Sequence, residues 1–317
     1  MTKRGSIKQS GTRRKLLTAL GLGLALAGAQ APSIAQAQSE IVVPADAFPE
    51  RDVRERASEF VRGTGIANGE TPAARWVDPI CPRVLGVRED GARAAEAMIR
   101  RIAAEAGVPV AADSCDSNIV VTFAPNPRAL VEEIGRRSPS SLSEVSPTAR
   151  PALVAGSAPI RWWYTTRTIG RHGNRRSQGS GSAGQNIPAT HTGSGAGSDF
   201  GGDIPTLMHY ESSTISTLTQ RILNSASVVI DENEVVGMPL NAVAAYAAMV
   251  ALAEIRSSDF APQGSILGMF ASPNSPRRLT TQDMAFLRAL YRLPLDREAL
   301  RHRNMLIGEM IEQQTGS

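Results

Sequence analysis

The chain has 317 residues, a formal charge of +4 and 42% hydrophobic residues, which suffices for one large domain or two small ones with a substantial core. Six of its 34 cations lie in the first 37 residues while all 30 acids lie beyond them, so the remainder carries 28 cations against 30 acids. The high isoelectric point therefore belongs to the leader, and the rest offers no net basic charge for nucleic acid.

Lys3, Arg4, Lys8, Arg13, Arg14 and Lys15 precede the apolar run Leu16 to Ala27, the order of a basic and then a hydrophobic segment in a secretory signal. Ala35-Gln36-Ala37 puts small residues where a signal peptidase cuts, so residues 1–37 are expected to be removed and the mature protein to begin at Gln38. The apolar run is shorter than the roughly 20 residues that span a bilayer, so no transmembrane anchor is expected after cleavage. Thr12 to Leu17 also fits a twin-arginine signal, which leaves Sec and twin-arginine export both open. Either route leads to the periplasm or the medium. In such an oxidising compartment Cys81 and Cys115, the only cysteines, read as a disulfide, with two buried thiols or a redox pair as alternatives.

Val53, Ala57, Phe60 and Val61 recur at helical spacing from Glu50 to Arg62, and Gly63 follows as a stop, which predicts a helix in an N-terminal arm. Arg75 to Val87 reads as a strand interrupted by Pro79 and Pro82. Gly91 to Ala106 is a helix with Ala95, Met98, Ile99 and Ile102 on one face. Asn118 to Phe123 is a strand, and Asn126-Pro127 starts a helix over Arg128 to Arg136. Ile160 to Thr166 is an aromatic, β-branched strand. The Gly/Ser-rich stretch from Gly170 to Asp203 lacks the apolar residues to offset ordering and is expected to be a mobile loop. One or two strands are expected across Thr206 to Asp231, then a helix over Leu240 to Ile255 that is apolar nearly all round and so buried. Thr280 and Asp283 predict a capped start for a helix over Thr281 to Arg292, and a last helix is expected over Arg297 to Gln313.

The segment Val243 to Tyr291 resembles the C-terminal part of metzincin zinc peptidases, closest in pattern to matrixins. Leu279-Thr280-Thr281-Gln282-Asp283 and Leu290-Tyr291 match the family's Leu-Ser-x-x-Asp and Leu-Tyr signature, and Ser265-Ile266-Leu267 with Met269 stands where its Met-turn belongs. The family's HExxHxxGxxH helix sets two His at i and i+4 on one face to hold zinc, with a Glu that activates the bound water. Here Tyr246 stands for the first His, Ala247 for the Glu, Val250 for the second His and Arg256 for the third. Tyr, Val and Arg cannot form a zinc site. The resemblance therefore implies an α+β fold, a zincin-like mixed β-sheet packed with a buried central helix and C-terminal helices, without catalytic residues, metal or cofactor. Trp76 to Pro82 and Asn118 to Phe123 also resemble stretches of an uncharacterised exported bacterial family, a match that carries no activity.

Other candidate chemistry is sparser. Gly179-Ser180-Gly181-Ser182-Ala183-Gly184 spells GxGxxG, but neither the leading strand nor the following helix of a dinucleotide site is there. His172, His191 and His209 fit no zinc spacing. Asp231, Glu232 and Glu234 form an acidic turn, and a non-standard hydrolase site would be built either from Asp231 and Glu232 with Tyr246 or from the histidines near the insert. Arg161, Arg167, Arg171, Arg175 and Arg176 form a basic stretch beside Trp162, Trp163 and Tyr164, suited to an acidic envelope partner or to an ordinary half-buried strand. The expected organisation is a signal over 1–37, an arm over 38–68, a zincin-like domain over 69–296 with its insert at 170–203, and a C-terminal helix over 297–317. The expected function is binding or structural interaction with an unidentified periplasmic partner, the rival being an exported hydrolase.

Overall fold

The computed structural model describes residues 50–170, 217 and 219–315. The signal, the insert beyond Gly170, the expected strand residues before Thr217, and His172, His191 and His209 lie outside the described residues, as do Arg171, Arg175, Arg176 and the GxGxxG stretch.

Among the described residues four strands form one mixed sheet: β1 (Pro82–Leu85), β2 (Ile119–Ala124), β3 (Ile160–Gly170) and β4 (Thr219–Asp231), in spatial order β1-β2-β4-β3. The first three neighbours run parallel, and β3 runs antiparallel to β4 along one edge. The expected long strand over 75–87 is cut to Pro82–Leu85, because Pro79 and Pro82 have no N–H for a ladder. What remains upstream are single bridges from Arg75 to Ile222 and from Ile80 to Val110. At the end of β1, Gly86 adopts φ +83°, and a Cβ there would lie 2.0 Å from the Phe123 carbonyl oxygen, so only glycine lets the chain leave the sheet here.

Among the described residues seven α-helices surround the sheet: α1 (Glu50–Thr64), α2 (Glu89–Ala106), α3 (Pro127–Arg137), α4 (Arg150–Ala155), α5 (Leu240–Leu252), α6 (Thr281–Arg292) and α7 (Ala299–Thr315). Among the described residues no helix is long and apolar enough to cross a membrane. Alternation along the strands separates two cores. Val228 and Ile230 of β4 and Ile160 and Tyr164 of β3 face the large core with α2 and α5. Val229 and Trp163 face a smaller one with Val131 of α3 and Leu142. The helix expected in an arm contributes Val53, Ala57, Phe60 and Val61 to the large core, as the terminal helix contributes Leu306 and Met310. Cys81 and Cys115 form a disulfide with their Cα atoms 6.0 Å apart, tying the start of β1 to the loop before β2. In the chain-entropy picture a loop of 34 residues is worth about 3 to 4 kcal/mol.

Every residue of α5 from Ala242 to Leu252 is buried. Its C-terminus lacks the usual glycine, so its last carbonyls need partners from elsewhere. Side chains distant in sequence supply them. The Tyr164 hydroxyl donates to the Val250 carbonyl, Trp76 Nε1 to Ala251 at 2.9 Å, and the Tyr291 hydroxyl to Leu252 at 2.6 Å. Burial pushes the phenols of Tyr164 and Tyr291 up, which keeps both protonated as donors.

Candidate functional site

The resemblance singles out one face of α5. Tyr246 is 5% exposed, with its ring edge-on to Trp162 at 6.2 Å and to Phe270 at 5.5 Å. Burial pushes its phenol up, so it neither ionises nor serves as a base at ordinary pH. Ala247 and Val250 are fully buried, while Arg256 lies beyond the helix end and pairs with Glu254 at 2.6 Å. The face is packed with rings. Among the described residues no three His, Cys, Asp or Glu side chains converge to hold a metal ion.

The turn and helix that follow are tied together by one carboxylate. Asp283, fully buried, accepts from the Ser265 hydroxyl and, at 2.9 Å each, from the Ile266 N–H, the Thr280 N–H and the Thr280 hydroxyl. Thr280 in turn accepts from the Asp283 N–H, closing the capping box. Burial raises the Asp283 pKa, and these donors pull against it. Met269 is buried in the same turn. Sequence pattern anticipated the cap but not its second use as a clamp on the turn.

The acidic turn does not reach α5 chemistry. Asp231 Oδ1 accepts from the Asn233 N–H and side-chain amide, both at 3.0 Å, and among the described residues no hydrogen bond joins Asp231 or Glu232 to Tyr246. Arg167 pairs with Asp78.

The open space lies at the other end of α5. A cavity of about 550 Å³ runs along β3 between the segment after α5 and the segment around α4, bordered among others by Trp162, Tyr164, Arg161, Glu144, Glu254 and Arg256. That volume is typical of ligand sites. An ion-pair cluster borders it through Glu144, Glu254 and Arg256. Glu254, 2% exposed, takes both terminal nitrogens of Arg221, Nε and Nη2 of Arg256, and the Ala74 N–H at 3.3 Å. Arg221 also binds Glu144 at 2.9 Å. Burial works against the Arg221 charge, but its bonds to Glu254 and the charges of Glu254 and Glu144 outweigh it and raise its pKa. No sequence motif pointed to this cluster, since Glu144, Arg221 and Glu254 meet only through the fold.

Compared with family profiles, curated proteins and solved structures, the chain matches none of them. The site therefore has to be read from its own geometry.

That geometry leaves a strand edge facing the cavity. The Asp231 N–H bonds the Pro159 carbonyl, and Arg161 and Trp163 stand opposite Val229 and Ser227. Odd-numbered residues of this stretch thus point their main-chain groups at β4, and the even-numbered ones point away. Thr166 fits this rule: its N–H turns outward and is taken by the Glu144 carboxylate. The outward N–H and C=O groups of Trp162 and Tyr164 have no partner among the described residues.

Proposed function

We propose that this chain is an exported, non-catalytic binding protein built on a degenerate zincin-like scaffold, and that its cleft takes an extended peptide segment as an added strand on β3. The observation that carries this reading is the open main-chain edge of Trp162 and Tyr164 on a cavity of about 550 Å³. A peptide laid there gains ladder hydrogen bonds, with side-chain pockets on alternate residues. Occupation of the resembled zinc and base positions by Tyr246, Ala247, Val250 and Arg256 supports a role in binding rather than hydrolysis. The packed Ser265–Met269 turn and the Asp283 clamp support the scaffold resemblance. Export, the disulfide and the acidic balance past the leader fit a protein that meets its partner in the periplasm.

Backbone-methylated peptides test the reading. Strand addition requires that N-methylation of one alternating set of peptide amides abolishes binding while methylation of the other set leaves it intact. Equal tolerance of both sets would sink strand addition. Stoichiometric zinc in the purified protein, together with peptide hydrolysis blocked by a chelator, would overturn the non-catalytic reading.

A further inference from the structure

Arg161 sits within the cavity wall, on the face of β3 opposite Trp162 and Tyr164, and is only 7% exposed. A guanidinium carries five N–H donors. One, on Nη2, goes to the Gly156 carbonyl. Nε and Nη1 are buried and have no hydrogen-bond partner among the described residues. A charge removed from water in this way is costly unless an opposite charge or acceptors meet it.

None of the carboxylates that border the cavity pairs with Arg161 among the described residues. Glu144 binds Arg221 and Thr166, Glu254 binds Arg221 and Arg256, and Asp259 accepts from Ser258 at 3.3 Å. Arg221 shows how this fold treats a buried arginine it satisfies internally, by giving it two carboxylates. Arg161 has none. The cavity lining includes Ala149, Ala152, Leu153 and Trp163, apolar groups that strengthen an ionic contact by excluding water.

We infer that Arg161 is an anion subsite of the cleft that receives a carboxylate of the bound peptide. This rests on the peptide reading for the source of the carboxylate, though not for the site itself. The carboxylate is either the C-terminus or an acidic side chain. A turn of the Arg161 side chain toward the cavity brings its buried nitrogens to the carboxylate in the planar geometry that arginine provides, which links recognition of main chain on one side of β3 to recognition of charge on the other.

Two measurements on the full chain separate the inference from the reading beneath it. The first follows the Arg161 side-chain Nε–H resonance by NMR while acetate is added at constant ionic strength with chloride. A saturable shift is expected, and its absence overturns the anion site. The second compares three amide-or-acid versions of one alanine pentapeptide: free C-terminus, amidated, and amidated with a central Glu. One acidic version is expected to bind about 10- to 100-fold tighter than the neutral one, and which one wins identifies the source. The advantage should vanish in Arg161→Gln and survive in part in Arg161→Lys. Acidic and neutral peptides binding alike, or a preference that persists in Arg161→Gln, overturns the inference while leaving the peptide cleft standing. Acetate that saturates Arg161 while no pentapeptide binds leaves the anion site and removes the peptide reading. Arg161→Gln is expected to fold at least as stably as the parent in the absence of ligand, because it deletes an uncompensated buried charge.

Discussion

Substituting His302 should convert a pH-dependent stability into a nearly pH-independent one over the range just below neutrality. His302 is fully buried in α7, where Nδ1 accepts from the Ala73 N–H at 3.0 Å and Nε2 meets the Pro294 carbonyl at 2.9 Å. Both contacts are satisfied only by a neutral ring with its proton on Nε2. Burial lowers the His302 pKa below its ordinary value of 6.5, and the charges of Arg297 and Arg75 act the same way against the Pro294 bond and Asp296. As pH falls past 6.5 the unfolded chain takes up a proton before the folded one does. Stability contributed by this group is therefore full above 6.5 and is lost as pH falls through the folded pKa, at up to about 1.4 kcal/mol per pH unit. His302→Ala strands the buried Ala73 N–H and the partly buried Pro294 carbonyl, costing about 2 to 4 kcal/mol at pH 7.5. Urea unfolding of both proteins at pH 7.5, 6.5, 5.5 and 5.0 reads both effects. The parent should lose stability more steeply than His302→Ala across that range, so that the gap between them narrows. Parallel pH profiles would refute the reasoning, since they would mean His302 does not titrate differently in the folded state.

Three further perturbations have defined outcomes. Gly86→Ala should cost more than about 3 kcal/mol in thermal unfolding because its Cβ meets the Phe123 carbonyl, whereas Gly107→Ala, with φ +84° but open space around it, should cost only about 1 kcal/mol. Glu254→Gln should cost about 3 to 5 kcal/mol by leaving Arg221 and Arg256 without their shared carboxylate, while Arg256→Ala, whose side chain is 41% exposed, should cost under about 1 kcal/mol. Replacing Cys81 and Cys115 together by Ser should lower stability by about 3 to 4 kcal/mol, measured by denaturant midpoint against the oxidised parent.

Local pattern carried much of the fold because the signals that define its elements are short-range. The Thr280 and Asp283 spacing marked α6, and its helix spans Thr281–Arg292 as expected. Apolar continuity marked α5 as buried, and β2 and α3 fell within a residue or two of their expected limits. The short helix α4 escaped notice because Arg150–Ala155 has no buried residue and so no periodic face. The candidate site was far less legible. Trp76, Tyr164 and Tyr291 close the end of α5 across large sequence separations, and no window of neighbouring residues contains that relation. Arg161 could be read from sequence as facing solvent, since arginines on half-exposed strands usually do. Only the packing around Trp163 and α4 reveals that it is enclosed. His302, the one histidine outside the region of the insert, carried no motif and proved to be a structural bridge.

The two faces of β3 explain why the cleft and the central helix belong to one device. Tyr164 and Trp162 turn their side chains toward α5 and its exit, where the Tyr164 hydroxyl holds Val250 and the Trp162 indole donates to the Ile255 carbonyl at 2.7 Å. The same two residues turn their main-chain groups outward to the cavity. Their edge is therefore anchored by bonds on the core side while its outward groups have no partner among the described residues, the condition under which the proposed strand addition carries little ordering cost. Glu254, which borders that cleft, has its charge balanced by Arg221. Arg161 has no carboxylate partner among the described residues, so the proposed anion subsite concentrates electrostatic demand at one guanidinium rather than spreading it over the cleft.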